Sequence, residues 1–233
     1  MELLIIVFLL GGLFLGWSLG ANDAANVFGT AVGTRMIQFK TAAIVCSIFV
    51  ILGAIISGAG TTETLGKLGA INALPGAFAA CVAAGLSVYI MTKLGLAVST
   101  TLAIVGAIIG WNLYTGSSTN IQVLITILST WVLCPIIAGL IAMLFFIITK
   151  NFIQKGKLHI LRLDAYTRTA LLLAGAFGAY SLGANNIANV MGVFVPISPF
   201  TDISILNSFN FSSKEQLFLL AVSYTHLTLP TKA

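Results

Sequence analysis

The chain has 233 residues, of which 58% are hydrophobic and 7% charged, with a net charge of +5. A soluble domain carries about 25% charged residues, so a soluble fold is excluded and a polytopic, all-α membrane protein is implied. The basic residues gather in a few segments without interleaved aromatics, so the charge speaks to membrane topology and not to nucleic acid.

A helix needs about 20 apolar residues to cross the hydrocarbon core. Met1 to Leu19 is one such run, and a small-residue stretch extends it to about Thr34. It lacks a basic n-region, so it reads as a retained span and not as a signal peptide. The extension, "GANDAANVFGTAVGT", holds Asn22, Asp23 and Asn26. An aspartate at mid-membrane costs about 2.5–3.5 kcal/mol, so Asp23 must face protein, water or a cation. Gly16, Gly20, Gly29 and Gly33 allow a close helix approach. They also allow a break in the helix, whose freed carbonyls would suit a cation such as Na+. On an unbroken helix Asn22 and Asn26 share a face, and their amides can donate to an anion. Packing through small residues with asparagine hydrogen bonds is the plainer reading. It accounts for the glycines but not for the aspartate.

Thr41 to Ser57 is the second span, and Pro75 to Thr92 the third, with proline in its first turn. Leu94 to Trp111 is the fourth, interrupted by Ser99, Thr100 and Thr101. Three consecutive hydroxyls point in different directions and suit a helix start, where they and free N–H groups can hold an anion. Hydropathy leaves open whether this segment spans or forms a re-entrant hairpin. Lys93 reads as an interface anchor. Ile121 to Thr149 is the fifth span, Ala170 to Val195 the sixth, and a seventh begins near Lys214. Trp17, Trp111 and Trp131 read as packing or interface residues. Cys46, Cys81 and Cys134 lie in apolar stretches without metal spacing and read as small buried hydrophobes.

With the N-terminus outside, the inside segments hold Arg35, Lys40, Lys93 and the basic residues of 150–168. That is eight of the 11 Lys and Arg, the positive-inside pattern with five crossings before the basic loop. No Ser/His/Asp, Cys/His or His/Glu cluster is present, so neither an enzyme nor a cofactor is expected.

"SLGANDAANVFGTAV" from Ser18 returns as "SLGANNIANVMGVFV" from Ser181, identical at ten of fifteen positions and displaced by 163 residues. An odd number of crossings between the copies makes this an inverted-topology repeat, as in many secondary transporters. The expected division is a first repeat over 1–149, a basic cytoplasmic loop over 150–168, the start of the second repeat over 169–222 and an atypical tail over 223–233. The second repeat is expected to be incomplete, because the counterpart of Ser99–Thr101 would fall near residue 262, beyond Ala233. A truncated chain that does not transport by itself is the corresponding expectation.

The two motifs and the hydroxyl triplet together resemble the inorganic phosphate transporter (PiT) family, whose pattern is a GANDxAN motif and an STT motif in each half. The resemblance implies a multi-pass permease moving inorganic phosphate by alternating access, coupled to Na+ or H+. It implies substrate contacts at Asn22, Asn26, Ser99, Thr100, Thr101, Asn185 and Asn189, and coupling-cation contacts at Asp23 and Asn186. Asn186 stands where many members carry aspartate, and Leu102 where a histidine is common. Another oxyanion such as sulfate, or a membrane scaffold that does not transport, remains an alternative, and a homodimer is left open.

Overall fold

The computed structural model describes residues 2–69, 71, 73–96, 98–155, 159–198, 200, 203–205, 209–213 and 216–218. Helix α1 spans Glu2–Gly33, α2 Phe39–Gly66, α3 Leu74–Lys93, α4 Thr100–Thr115, α5 Ile121–Lys155 and α6 Ile160–Met191. A 3-10 turn at Val195–Ile197 follows, then a short antiparallel hairpin of β1 (Ile203–Ile205) and β2 (Phe209–Phe211), with Ser204 opposite Asn210. The architecture is thus helical, with this hairpin the only paired strands among the described residues. Three helices, α2, α3 and α5, are long and apolar enough to cross a membrane by length and composition. The expected tail at 223–233 lies outside the described residues, as does most of the expected seventh span. Of that span, Gln216–Phe218 is helical, and Leu217 and Phe218 are buried in the core.

Several helices are longer than hydropathy suggested. A helix continues past its apolar run wherever no proline or exposed left-handed residue stops it. Helix α1 runs unbroken through the glycines of its motif, so the expected break is not there. Arg35, with φ 59, reverses the chain after it. Helix α5 carries Pro135 internally and still reaches Lys155. Much of the expected basic loop is therefore helical, in the last turns of α5 and the first turns of α6.

Leu94–Trp111, which hydropathy left open between a span and a re-entrant hairpin, forms the turn and returning arm of a hairpin with α3. Helix α3 ends at Lys93, where Gly95 adopts φ 72, a conformation that glycine takes without a Cβ penalty. Helix α4 then begins at Thr100 and returns alongside α3, so that Trp111 covers Gly76. At 16 residues, α4 is about 24 Å long, short of the roughly 30 Å hydrocarbon core. Phe8 meets Phe78 at 5.9 Å between ring centroids, and Trp17 meets Tyr89 at 5.5 Å. Thus α3 runs parallel to α1 and the hairpin tip arrives beside Asn22, whose amide Nδ2 donates to the Val98 carbonyl at 2.9 Å. Helix α1 continues for about ten residues, roughly 15 Å, past that point. The chain therefore returns along α4 to the end of the hairpin at which α3 began, where Gly69 bridges Thr119.

Helices α2 and α6 run parallel and pack through glycine. A Cβ at Gly53 would collide with the Tyr180 carbonyl, and one at Gly183 with the Val50 carbonyl. Small residues allow this backbone approach, and side-chain packing supplies the attraction in the absence of a water-driven term. Ser57 and Tyr180 share a hydroxyl hydrogen bond of 2.6 Å across the same interface. Helices α1 and α6 run antiparallel: Gly12 faces Met191 and Phe194, while Gly175 faces Phe28. Helix α5 presents Val132, Leu140, Phe145 and Phe152 outward, each more than half exposed.

Candidate functional site

Three segments far apart in sequence meet where α1 and α6 cross. Helix α1 delivers Asn22 and Asp23, the hairpin tip delivers Val98 and Ser99–Thr101, and α6 delivers Asn185, Asn186 and Asn189. Asp23 Oδ2 accepts from Asn186 Nδ2 at 2.9 Å and from Thr100 Oγ1 at 3.3 Å, and its Oδ1 accepts from Asn22 Nδ2 at 2.7 Å. All three donors are neutral. Asn186 and Thr100 are buried, as is Asn189, whose Nδ2 reaches Thr101 Oγ1 at 3.1 Å and Asn186 Oδ1 at 3.4 Å. Asn185 Nδ2 donates to Asn186 Oδ1 at 3.5 Å, the same neighbour contact that Asn22 makes to Asp23. The carbonyl expected from a broken motif helix is supplied instead by Val98 at the hairpin tip.

The hydroxyl triplet diverges because it stands at a helix start. Ser99 is the N-cap of α4, and its oxygen accepts from Leu102 N at 3.4 Å. Thr100 turns to Asp23 and Thr101 to Asn189. A cavity of about 600 Å³ opens beside them, within the roughly 300–1,000 Å³ usual for small-molecule sites. Ser99, Thr101, Asn185 and Asn189 line it, with Thr61 and Thr64 from α2 and Thr130 from α5. Among the described residues, none of those lining it carries a formal charge.

Asn26 stands apart, exposed and not among the residues lining this cavity. The cysteines divide: Cys46 and Cys81 are buried as expected, but Cys134 is exposed on the cavity wall beside Pro135 and Trp131. Trp131 is thus a cavity residue as well as a packing one. Thr61, Thr64 and Thr130 escaped the reading of the sequence, which ended the second span at Ser57 although α2 continues to Gly66. Their signal was helical spacing, since Thr61 and Thr64 are three apart and share a face. The neighbouring Glu63 and Lys67 pair with each other on the exposed side at 2.6 Å.

Among the described residues there is no group of three His, Cys, Asp or Glu side chains able to hold a metal ion. Any cation in this centre would therefore rest on one carboxylate and neutral oxygens. Asparagine amides can turn to present oxygen, and the amide orientation here is assigned from hydrogen bonding. With Asn22, Asn186, Thr100 and the Val98 carbonyl, Asp23 offers an all-oxygen set of the kind hard cations take.

The profile of the phosphate transporter family matches residues 19–167. A Pyrococcus furiosus protein named "Putative phosphate permease PF1020" is 34% identical over 163 residues, which is 65% of this chain and 39% of that protein. The chloroplastic inorganic phosphate transporter 2-1 of Arabidopsis thaliana is 30% identical over 167 residues, 66% of this chain and 28% of that one. A solved structure, the sodium-dependent phosphate transporter, superposes with a TM-score of 0.72 at 22% identity, covering 97% of this chain and 75% of its own. That likeness establishes the fold. The chain spans about two-fifths of the length of the Pyrococcus relative it matches.

Proposed function

The chain belongs to the phosphate transporter family, a family of integral multi-pass membrane permeases and not of enzymes, and on that premise we propose that it binds inorganic phosphate together with a coupling cation, as part of a symporter working by alternating access. Phosphate occupies the cavity at the start of α4, held by Ser99, Thr101, Asn185 and Asn189. The cation lies next door at Asp23, with Asn22, Thr100, Asn186 and the Val98 carbonyl as oxygen ligands. Na+ is the cation favoured, because the donor set is all oxygen and because the structural neighbour is named as sodium-dependent. A proton on Asp23 is the competing reading.

The observation that carries the proposal is a matter of charge. Among the described residues the cavity is lined by neutral groups only, and the Asp23 carboxylate lies one threonine hydroxyl away. A phosphate anion entering such a place meets hydrogen-bond donors but also a negative charge. It binds well only when a cation cancels that charge, so coupling follows from electrostatics and needs no moving gate to enforce it.

The pairing of the repeats supports alternating access. Asp23 and Asn186 are counterparts in the two motif copies and touch each other. Displacement by 163 residues also carries the Gly12–Met191 contact onto Gly175–Phe28, with the partners exchanged. Such reciprocal contacts are what a two-fold axis through the Asp23–Asn186 pair would produce. A rocking of inverted repeats about a shared midplane site fits this arrangement.

Binding of radiolabelled phosphate to the purified chain in lipid nanodiscs tests the reading. Saturable binding that weakens in choline, survives a shift of pH, and resists excess sulfate is expected. Binding equal in Na+ and choline would remove the cation, equal competition by sulfate would widen the substrate to oxyanions in general, and no binding would favour a scaffold.

A further inference from the structure

A second groove, of about 340 Å³, lies at the opposite end of α2 from the Glu63–Lys67 pair, between the α1–α2 turn and α6. Its polar rim is Gln38, Thr41, Arg168 and Thr169, and its floor includes Ile37 and Leu172. Arg168 is half exposed. Its Nε donates to Asp164 at 2.8 Å and its Nη1 to the Met36 carbonyl at 3.1 Å, which pins the guanidinium across the groove mouth. Arg35 and Lys40 flank the turn, both exposed. Asp164, the acid on the same helix end, is already paired with Arg168, so positive charge is in excess here.

Below the rim the surface turns apolar in two rows. Thr41, Ile44 and Ile48 share a face of α2, and Thr169, Leu173 and Phe177 share a face of α6, by helical spacing. Ile44 is 61% exposed, Leu173 66% and Phe177 73%. Because α2 and α6 run parallel, both rows descend from the same rim. A cationic mouth over a two-sided apolar furrow has the form of a glycerophospholipid, with its headgroup on the rim and its acyl chains along the furrow.

We propose that the groove between the α1–α2 turn and α6 is a site for one anionic phospholipid, its phosphate held by Arg168 with Thr41 and Thr169, and its acyl chains along the Thr41–Ile48 and Thr169–Phe177 rows. The occupant is a lipid and not free phosphate because the apolar furrow continues well below the polar rim. Basic residues at a membrane surface favour anionic over zwitterionic lipid, and with Arg168 offset by Asp164 the two others, Arg35 and Lys40, give an expected preference of at least about tenfold.

Native mass spectrometry of the full chain released from detergent, with phosphatidylglycerol or phosphatidylcholine added back, tests this. Arg168→Gln should lose the preference, but it also removes a contact to the turn. Thr41→Glu carries the test instead. It puts a negative charge into the rim at the third residue of α2, where an acidic side chain stabilises a helix, so the fold should be kept while the lipid is repelled. The expected result is one retained phosphatidylglycerol per chain, a weaker phosphatidylcholine adduct, loss of the difference in Thr41→Glu, and no displacement by millimolar inorganic phosphate. Equal retention of the two lipids, an unchanged preference in a folded Thr41→Glu, or displacement by inorganic phosphate would each overturn it.

Discussion

Replacing Asp23 by asparagine separates charge from shape. The amide keeps the size of the side chain and can still bond Thr100 and Asn186, so the crossing of α1 and α6 should survive. What changes is the field in the neighbouring cavity. Asp23 Oδ2 lies 3.3 Å from Thr100 Oγ1, and a phosphate on the Ser99–Thr101 side sits about one side-chain spacing further, so the charges are roughly 8 Å apart. At an effective dielectric of about 20, the repulsion is about 2 kcal/mol per unit of phosphate charge, roughly 30-fold in affinity. In the wild-type chain that factor should appear as a loss of phosphate affinity when Na+ is replaced by choline, and the loss should be steeper for the dianion. In Asp23→Asn the affinity should be nearly the same in both salts. Equilibrium binding of radiolabelled phosphate across a Na+ series reads this directly. A variant that kept the full Na+ dependence would show that the cation is bound elsewhere and that the charge argument is wrong.

Gly183→Ala should destabilise the chain by about 1–3 kcal/mol through overpacking, since the new methyl meets the Val50 backbone; an unchanged thermal midpoint in detergent would refute the tight α2–α6 contact. Thr64→Val should weaken phosphate binding by about 0.5–1.5 kcal/mol, roughly two- to thirteenfold, with no change in the helical circular dichroism; unaltered affinity would take α2 out of the site. A maleimide should label Cys134 rapidly and leave Cys46 and Cys81 untouched in the folded chain, because only Cys134 is exposed. Phosphate should slow that labelling, and equal rates with and without it would move the anion away from the α5 wall.

Much of the site was legible in the sequence because polar residues are scarce in an apolar chain. Asp23, Asn186, Thr100, Thr101 and Asn189 announced themselves by type and by repetition, and they do meet. Asn26 carried the same signal but faces away, since a motif shared with a repeat need not be used alike in both copies. The hairpin was legible only as one of two alternatives, because hydropathy measures how apolar a segment is and not which way it turns. Ser99, the N-cap, read as a helix start, but Gly95, which turns the chain at φ 72, looks like an ordinary member of an apolar run. Thr61, Thr64 and Thr130 were hidden for a different reason. Membrane threonines commonly bond back to their own helix, as Thr64 does to Gly60 and Thr130 to Ile127, and only packing tells which of them also face a cavity. Helix ends were misjudged wherever a helix continues past its apolar run, as α5 does to Lys155 and α6 does from Ile160.

The central claim is that phosphate and cation occupy adjacent halves of one centre and each raises the affinity for the other. Linkage requires the effect to be reciprocal. The direct measurement is binding of radiolabelled Na+ to the purified chain in nanodiscs, titrated with inorganic phosphate. The account predicts saturable Na+ binding whose affinity rises with phosphate by the same factor that Na+ adds to phosphate affinity, about 30-fold for a singly charged anion. Na+ binding indifferent to phosphate, in a chain that binds phosphate well, would contradict it.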